Sequence, residues 1–510
     1  MPNFKMKKYF TPLNIIFALE ILVVFLAAAG LIPHEAILFW TGLAVFYLIF
    51  SPPKDGLLLV LASIPLFAAL PMSDSFDTLA NWRILTAILF LKVFLKKESL
   101  KEIKSYLKDW RQPEILLLSL FFLLAFTSIF AASFKILVLK KLAFLVNAFL
   151  LFLIVKKLAR PKEFVLKIWQ SLAVGGGIVI LAAASQFLTV IFVPLFSFWQ
   201  FWAAKVISAF YGADLAHLLS YANTWFAYYS SSPPTLRLFS VFPDSHSFAM
   251  FNLLMMPIFL SLALFFKNER KKKIFFWILA SLALLSVAFS GSRGAWLNVV
   301  PALVVIFYLL RRKIEYFLTS KAAWTLILFL ALFIFSTAYS PIFYQFQAWQ
   351  KGEGFSANFS FFERAKSISD TEELSNKGRL QIWRASIKSV KEKPFLGVGL
   401  GNYVKVLDED VSAAKKGASA HNLYLDFAAE IGVFGAFVLI GIFALILKKS
   451  REVFLNSREQ YFKFFGLIFG LYFVWVLGYS FFDVVLLNDK VLLLFLAGVG
   501  ALYSLDFSKR

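Results

Sequence analysis

The chain has 510 residues, of which 60% are apolar and 16% charged, with 63 phenylalanines and a net charge of +22. A soluble chain carries about 25% charge; with a mean hydropathy of +0.75 and repeated apolar runs of about 20 residues, the composition excludes ordinary soluble domains and predicts an all-α polytopic membrane protein. The absence of Cys excludes disulfides and thiolate chemistry, and the four His lack HxxH or HExxH spacing, so no metal site is expected.

Apolar runs in chain order predict fourteen spans, within a range of 12–14. They fall near 13–32, 36–50, 57–72, 80–96, 115–133, 136–155, 165–193, 247–266, 273–290, 295–310, 322–340, 423–447, 462–480 and 487–505. The basic-then-apolar start resembles a signal peptide, but its long run without a small-residue cleavage site reads as an uncleaved first helix. The second and third spans are short enough to form a re-entrant pair, and 165–193 is either one long tilted helix or one broken at Gly175-Gly176-Gly177.

With the N-terminus cytoplasmic and the spans alternating, the inner segments hold 32 Lys/Arg against 11 Asp/Glu. This asymmetry orients both termini inward. It also removes a nucleic-acid partner, which the pI of 9.8 alone would suggest, because the basic residues are spread over separate inner loops. The chain then divides into N-terminal helices (1–193), an outer interfacial segment rich in aromatics (194–246), central helices (247–340), an extracytoplasmic loop (341–422) and C-terminal helices (423–510). Loops as long as the two outer ones are usually functional.

Polar residues near membrane depth need a reason. Lys140 and Lys141 lie in the sixth span and either snorkel or face an anionic group. Arg237 is the only Lys or Arg between Lys205 and Lys267, and Pro243 precedes a helix start capped by Asp244 or Ser245. In Ser290-Gly291-Ser292-Arg293-Gly294-Ala295-Trp296 the glycines permit a tight turn, and Arg293 either offers its planar fork to phosphate oxygens or snorkels beside Trp296. Gly378-Arg379 opens an amphipathic helix with Leu380, Trp383, Ile387 and Val390 on one face and Arg384, Lys388 and Lys391 opposite. Gly397-Val398-Gly399-Leu400-Gly401 follows a helix rather than a strand, so it is a weak phosphate signal and equally a plain turn. His421 and Asn422 stand at the outer start of the twelfth span, with Asp426 and Glu430 sharing a face one turn apart. A neutral imidazole there can accept a hydroxyl proton, or simply cap a loop carbonyl.

Together these pieces resemble the O-antigen ligase/polymerase superfamily. His421-Asn422, nine residues, then Gly432-Val433-Phe434-Gly435 fits the family pattern. Ser292-Arg293-Gly294 looks like its Ser-Arg-Gly segment, and Gly378 through Arg379, Trp383, Pro394 and Gly399 looks like its outer-loop segment. The segment after Arg237 departs, reading Phe-Pro-Asp where relatives often have Pro-Asn. The resemblance implies a metal-independent, cofactor-free, inverting glycosyltransferase of the GT-C type. It would sit in the bacterial cytoplasmic membrane with its site facing the periplasm. The implied donor is a glycan on undecaprenyl diphosphate, and the acceptor is a hydroxyl of a lipid A-core-like glycan, another glycan or a protein. His421, Arg293 and Arg237 would be catalytic. Arg379, Asn422, Glu430, Lys140 and Lys141 would contact or orient substrate. The alternative is a lipid-linked glycan flippase, which predicts repeated halves and midplane polar residues instead.

Overall fold

The computed structural model describes residues 11–71, 79–95, 112–220, 225–229, 232–299, 301, 304, 374–407 and 419–505. The predicted span 322–340, most of 295–310 and the loop stretches 341–373 and 408–418 lie outside them. Within them, seven helices are long and apolar enough to cross a membrane. The chain is a multi-pass, almost wholly helical membrane protein.

The N-terminal part contains α1 (Pro12–Ala28), α2 (Ala36–Phe50), α3 (Pro53–Ala62) and α4 (Asn81–Phe94). Proline at the first helical position starts α1 and α3, where its missing N–H has no partner to lose. Lys92 of α4 donates to the carbonyls of Leu48 (2.6 Å) and Ile49 (2.8 Å) and so closes the end of α2. The predicted span 57–72 is corrected. α3 stops at Ser63, a 3₁₀ turn follows at Ile64–Leu66, and the chain then runs extended. Its freed backbone is satisfied within the protein, Ala69 N donating to Phe210 O (3.0 Å) and Leu70 N to Leu79 O (2.9 Å). Irregular backbone at membrane depth is stable only when buried this way.

α5 (Pro113–Thr127), α6 (Lys135–Leu158) and α7 (Lys162–Phe192) follow. α7 is one continuous helix through its three glycines. A Cβ on Gly175 would lie 2.8 Å from Ala62 O and one on Gly176 2.6 Å from Met255 Cε, so these glycines serve close packing rather than a break.

The chain continues as α8 (Leu195–Phe201), a π-helical turn (Trp202–Ile207), α9 (Ser208–Tyr211) and α10 (Ala213–Ser220). An antiparallel hairpin of β1 (Phe226–Tyr229) and β2 (Ser232–Leu236) comes next, with Phe226 opposite Leu236. This hairpin is a small departure from the expected all-α fold. Pro233 and Pro234 cannot enter a helix interior, and aromatic residues suit a strand.

α11 (Ser245–Phe265) is the central pole: 89% of its apolar window is buried, against 22% for the peripheral span Pro113–Phe130. α12 (Arg270–Phe289) returns beside it, and α13 (Arg293–Leu297) turns away from its end. Residues 374–407 contribute α14 (Leu374–Glu392) and α15 (Val404–Leu407). α16 (Leu423–Asn456), α17 (Gln460–Tyr479) and α18 (Asp489–Ser504) complete the bundle.

Candidate active site

Two segments reach the site through strained turns. After β2, the amide of Arg237 donates to Trp225 O (2.8 Å) and that of Leu238 to Phe289 O (3.1 Å). Ser240 then adopts a left-handed φ of 51°, a conformation that costs a non-glycine residue about 1–2 kcal/mol. Gln186 holds it: its Oε1 accepts the amides of Phe239 (3.2 Å) and Ser240 (2.8 Å), and its Nε2 donates to Ser240 O (3.1 Å). Trp225 Nε1 donates to Pro243 O (2.8 Å). Asp244 is the N-cap of α11, accepting Ser247 N at 2.7 Å and Ser247 Oγ at 2.8 Å, which fixes His246 in the first turn.

His246 stands at the centre of a polar cluster. Arg237 Nε donates to Ser290 O (2.9 Å) and its Nη2 lies 3.4 Å from His246 Nε2. A guanidinium only donates, so Nε2 accepts and the neutral ring carries its proton on Nδ1. That Nδ1 meets Tyr479 OH (2.7 Å) and Ser292 Oγ (2.9 Å), and the two hydroxyls are 2.6 Å apart. Asp483 Oδ2 lies 3.7 Å from the same nitrogen. The set is not a Ser-His-Asp triad, because hydroxyl and carboxylate share one ring nitrogen instead of facing opposite ones. Gly291, at φ 63°, is needed here: a Cβ would sit 3.1 Å from Arg237 Nε.

Asp483 also faces His421, with its Oδ1 3.9 Å from His421 Nδ1. Burial would raise the Asp483 carboxyl, but the positive charge that His246, when protonated, His421 and the Arg379 guanidinium bring to it outweighs burial and holds the group well below the usual carboxylate range. The His421 side chain is 38% exposed and that of His246 14%, so His421 is the imidazole that an outside molecule reaches. His421 Nδ1 is itself buried, so the exposed edge carries Nε2.

The Asp244 carboxyl is pushed up to about 6, first by burial and then by the charge of Asp483. An unfolded Asp titrates near 3.9, so the folded protein binds this proton more tightly than the unfolded chain does. Its contribution is full below pH 4 or so and is lost as pH rises through about 6. Asp244→Asn, which keeps the capping oxygen, is expected to flatten that fall. Thermal unfolding of solubilised protein between about pH 4 and pH 7 checks this, and an unchanged slope refutes it.

The predicted residues divide into three groups. Arg237 and His421 converge on the His246–Asp483 cluster, Arg379 acts on it electrostatically, and half-buried Arg293 follows Ser292 as the first residue of α13. Asn422 caps α16, its Oδ1 accepting the amides of Tyr424 and Leu425, both at 3.1 Å. Lys141 and Glu430 form a separate ion pair: Lys141 Nζ is 2.5 Å from Glu430 Oε2 and 3.8 Å from Asp426 Oδ2. Lys140 is exposed on the neighbouring face of α6.

The glycine run is a backbone clamp. Gly397, Gly399 and Gly401 have φ of 63°, 96° and 77°. Val398 N donates to Ala429 O (2.8 Å) and Gly399 N to Glu430 O (2.9 Å), while a Cβ on Gly399 would lie 2.4 Å from that of Ala132. Opposite it, α16 is interrupted at Gly432 (φ 83°), where Val433 N donates to Pro394 O (2.8 Å). Asn402 bolts the loop to the α5–α6 corner through Phe134 N (2.8 Å) and Phe134 O (3.2 Å).

α14 also differs from expectation. It starts at Leu374, and Leu380 and Ile387 are exposed, whereas Ile382, Ala385 and Val390 pack inward. Small Ala385 and Ser386 carry little hydropathy, so they were invisible as a packing stripe.

His246, Ser292, Tyr479 and Asp483 went unselected in the sequence. Asp483 had a usable signal, a carboxylate between two apolar C-terminal runs. His246 and Ser292 lay within segments already singled out.

Residues 278–440 match the O-antigen ligase family. The chain is 26% identical over 223 residues to a ComP-specific O-oligosaccharyltransferase of Acinetobacter baylyi, covering 42% of this chain and 36% of that protein. It is 24% identical over 223 residues to an uncharacterized protein of Haemophilus influenzae, covering 42% of this chain and 52% of the other. The match thus spans about half or less of those relatives. Residues 278–440 thus carry the similarity of this chain to the O-antigen ligase family.

Proposed function

We propose that this protein is an inverting, metal-independent glycosyltransferase that moves a glycan from undecaprenyl diphosphate to an acceptor hydroxyl. The carrying observation is the meeting of Arg237, His246, Asp483 and His421, with Arg379 acting on them and Arg293 in the adjoining turn. The acceptor oxygen attacks the anomeric carbon, the bond to the diphosphate breaks, and the acceptor proton passes to His421 Nε2. The leaving group is already good, so the site chiefly supplies positive charge and positioning. Arg237 and Arg293 hold the diphosphate, Arg379 makes a third contact, and the outer loop selects the acceptor.

An apolar cavity supports the lipid side of this reading. It begins at Leu423 and Leu487, near His421 and Asp483, passes Phe427, Phe443 and Phe495, and ends at Tyr503. The polyprenyl chain lies there, its diphosphate at the Leu423 end. The reading includes twelve to fourteen spans, cytoplasmic termini and a periplasmic site in the bacterial cytoplasmic membrane.

The test is reconstitution in vesicles holding lipid-linked donor, with mass spectrometry of the products. Covalent glycan transfer to an added glycolipid, glycan or protein acceptor is expected, and the product identifies the acceptor class. Donor translocation with no covalent product overturns the proposal in favour of a flippase.

A further inference from the structure

His421 adopts a left-handed φ of 47°, and it and Ser240 are the two non-glycine residues of positive φ among those described. Such strain persists only where surrounding groups over-determine the backbone. Here they come from both sides. Asp426 Oδ1 accepts the amide of Ala420 at 2.9 Å. Trp383 Nε1, on the outer helix α14, donates to the Ala420 carbonyl at 3.0 Å. The two peptide groups preceding His421 are thereby fixed at one N–H and one C=O. Ser419 Oγ accepts His421 N at 3.3 Å, and Leu423 N donates to Ser480 O at 2.8 Å.

A buried carboxylate needs a counter-charge. Asp426 and Glu430 are 4% and 2% exposed, and Lys141 of α6 serves both. Its Nζ also stands 5.7 Å from the centre of the Phe427 ring.

We infer that Lys141, Asp426 and Trp383 are positioning residues that hold the peptide before His421 so that its Nε2 edge faces the acceptor. The inference rests on the proton-accepting role of His421 proposed above. It also gives the ion pair a role other than substrate contact. α6 sets the position of His421 through Asp426, and the outer loop sets it through Trp383.

The test uses the full-length protein in vesicles. Asp426→Ala removes the acceptor for Ala420 N yet leaves Lys141 paired with Glu430, so no buried charge is orphaned. It is expected to lower kcat by about 10²-fold, the scale of a 1 Å misplacement. Donor KM stays within about threefold, since diphosphate binding is not touched. Asp426→Asn keeps an Oδ1 acceptor and is expected to retain activity within about fivefold of the parent. Trp383→Phe keeps the ring, loses only the N–H, and is expected to cost about tenfold. In a His421→Ala background, Asp426→Ala adds no further loss if it acts only through His421; additive losses overturn the inference.

A second readout does not depend on turnover. Diethyl pyrocarbonate labelling, followed by peptide mass spectrometry, reports the accessibility of His421 Nε2. A changed His421 labelling rate in Asp426→Ala is expected, with His246 labelling constant. An unchanged rate with unchanged kcat overturns the inference. A changed rate with unchanged kcat supports the positioning and overturns the catalytic role of His421 instead.

Discussion

His421→Ala is expected to lower glycan transfer by roughly 10²–10⁴-fold, the range that a positioned general base contributes. The expectation follows from access and orientation. The imidazole is held at the outer start of α16 in a strained conformation, its Nδ1 edge toward Asp483 and its other edge open. Asp483 stays ionised beside it and stabilises the imidazolium formed when the acceptor proton arrives. In the proposed reading the arginines bind the donor, so donor KM is expected to stay near that of the parent. Initial rates at saturating donor, with intact folding verified by thermal unfolding, check the claim. Parent-like turnover in a folded His421→Ala protein removes His421 from the chemistry.

Arg237→Lys is expected to be nearly as damaging although it conserves charge. The Arg237 fork is divided, Nε donating to Ser290 O and Nη2 reaching His246 Nε2. The two contacts hold the guanidinium in one plane, the geometry that suits oriented donation to an anionic leaving group. A lysine ammonium is one point charge on a flexible stem and cannot serve both neighbours while facing a diphosphate. A loss of roughly 10²–10³-fold in kcat is expected, comparable with removing one oriented donor from a developing anion. Arg293→Lys is expected to be weak for the same reason. Rates within a few-fold of the parent in Arg237→Lys would show that charge alone suffices.

The long apolar helices were legible because a membrane demands apolar runs of fixed length, and α6, α11, α12 and α17 lie close to the expected spans. The break after α3 was not, since hydropathy does not register that a buried extended strand has found carbonyl partners in Phe210 and Leu79. At the site, Arg237 and His421 were legible as polar residues out of place. The carboxylate between His246 and His421 was not, because Asp483 is 62 positions beyond His421 and no local spacing links them. The glycine run was ambiguous for a related reason. Gly397 is required by the backbone of Ala429 and Glu430 and Gly401 by the carbonyl of Leu137, atoms common to every residue and therefore silent in a sequence.

The Lys141–Glu430 pair also bears on how the protein is made. The partners are 289 positions apart, so at 5–20 residues per second roughly 15 to 60 s of synthesis separate them. Throughout that interval α6 has a lysine within its span and lacks the carboxylates that will neutralise it. Lys141 is near the start of α6 (Lys135–Leu158), so early α6 inserts on its apolar remainder with this charge still uncompensated. Arrival of α16 locks α6 into place and, through Asp426, sets the His421 backbone in the same event. A nascent chain halted before α16 holds Arg237 and Arg293 but neither the finished pocket nor a settled sixth helix.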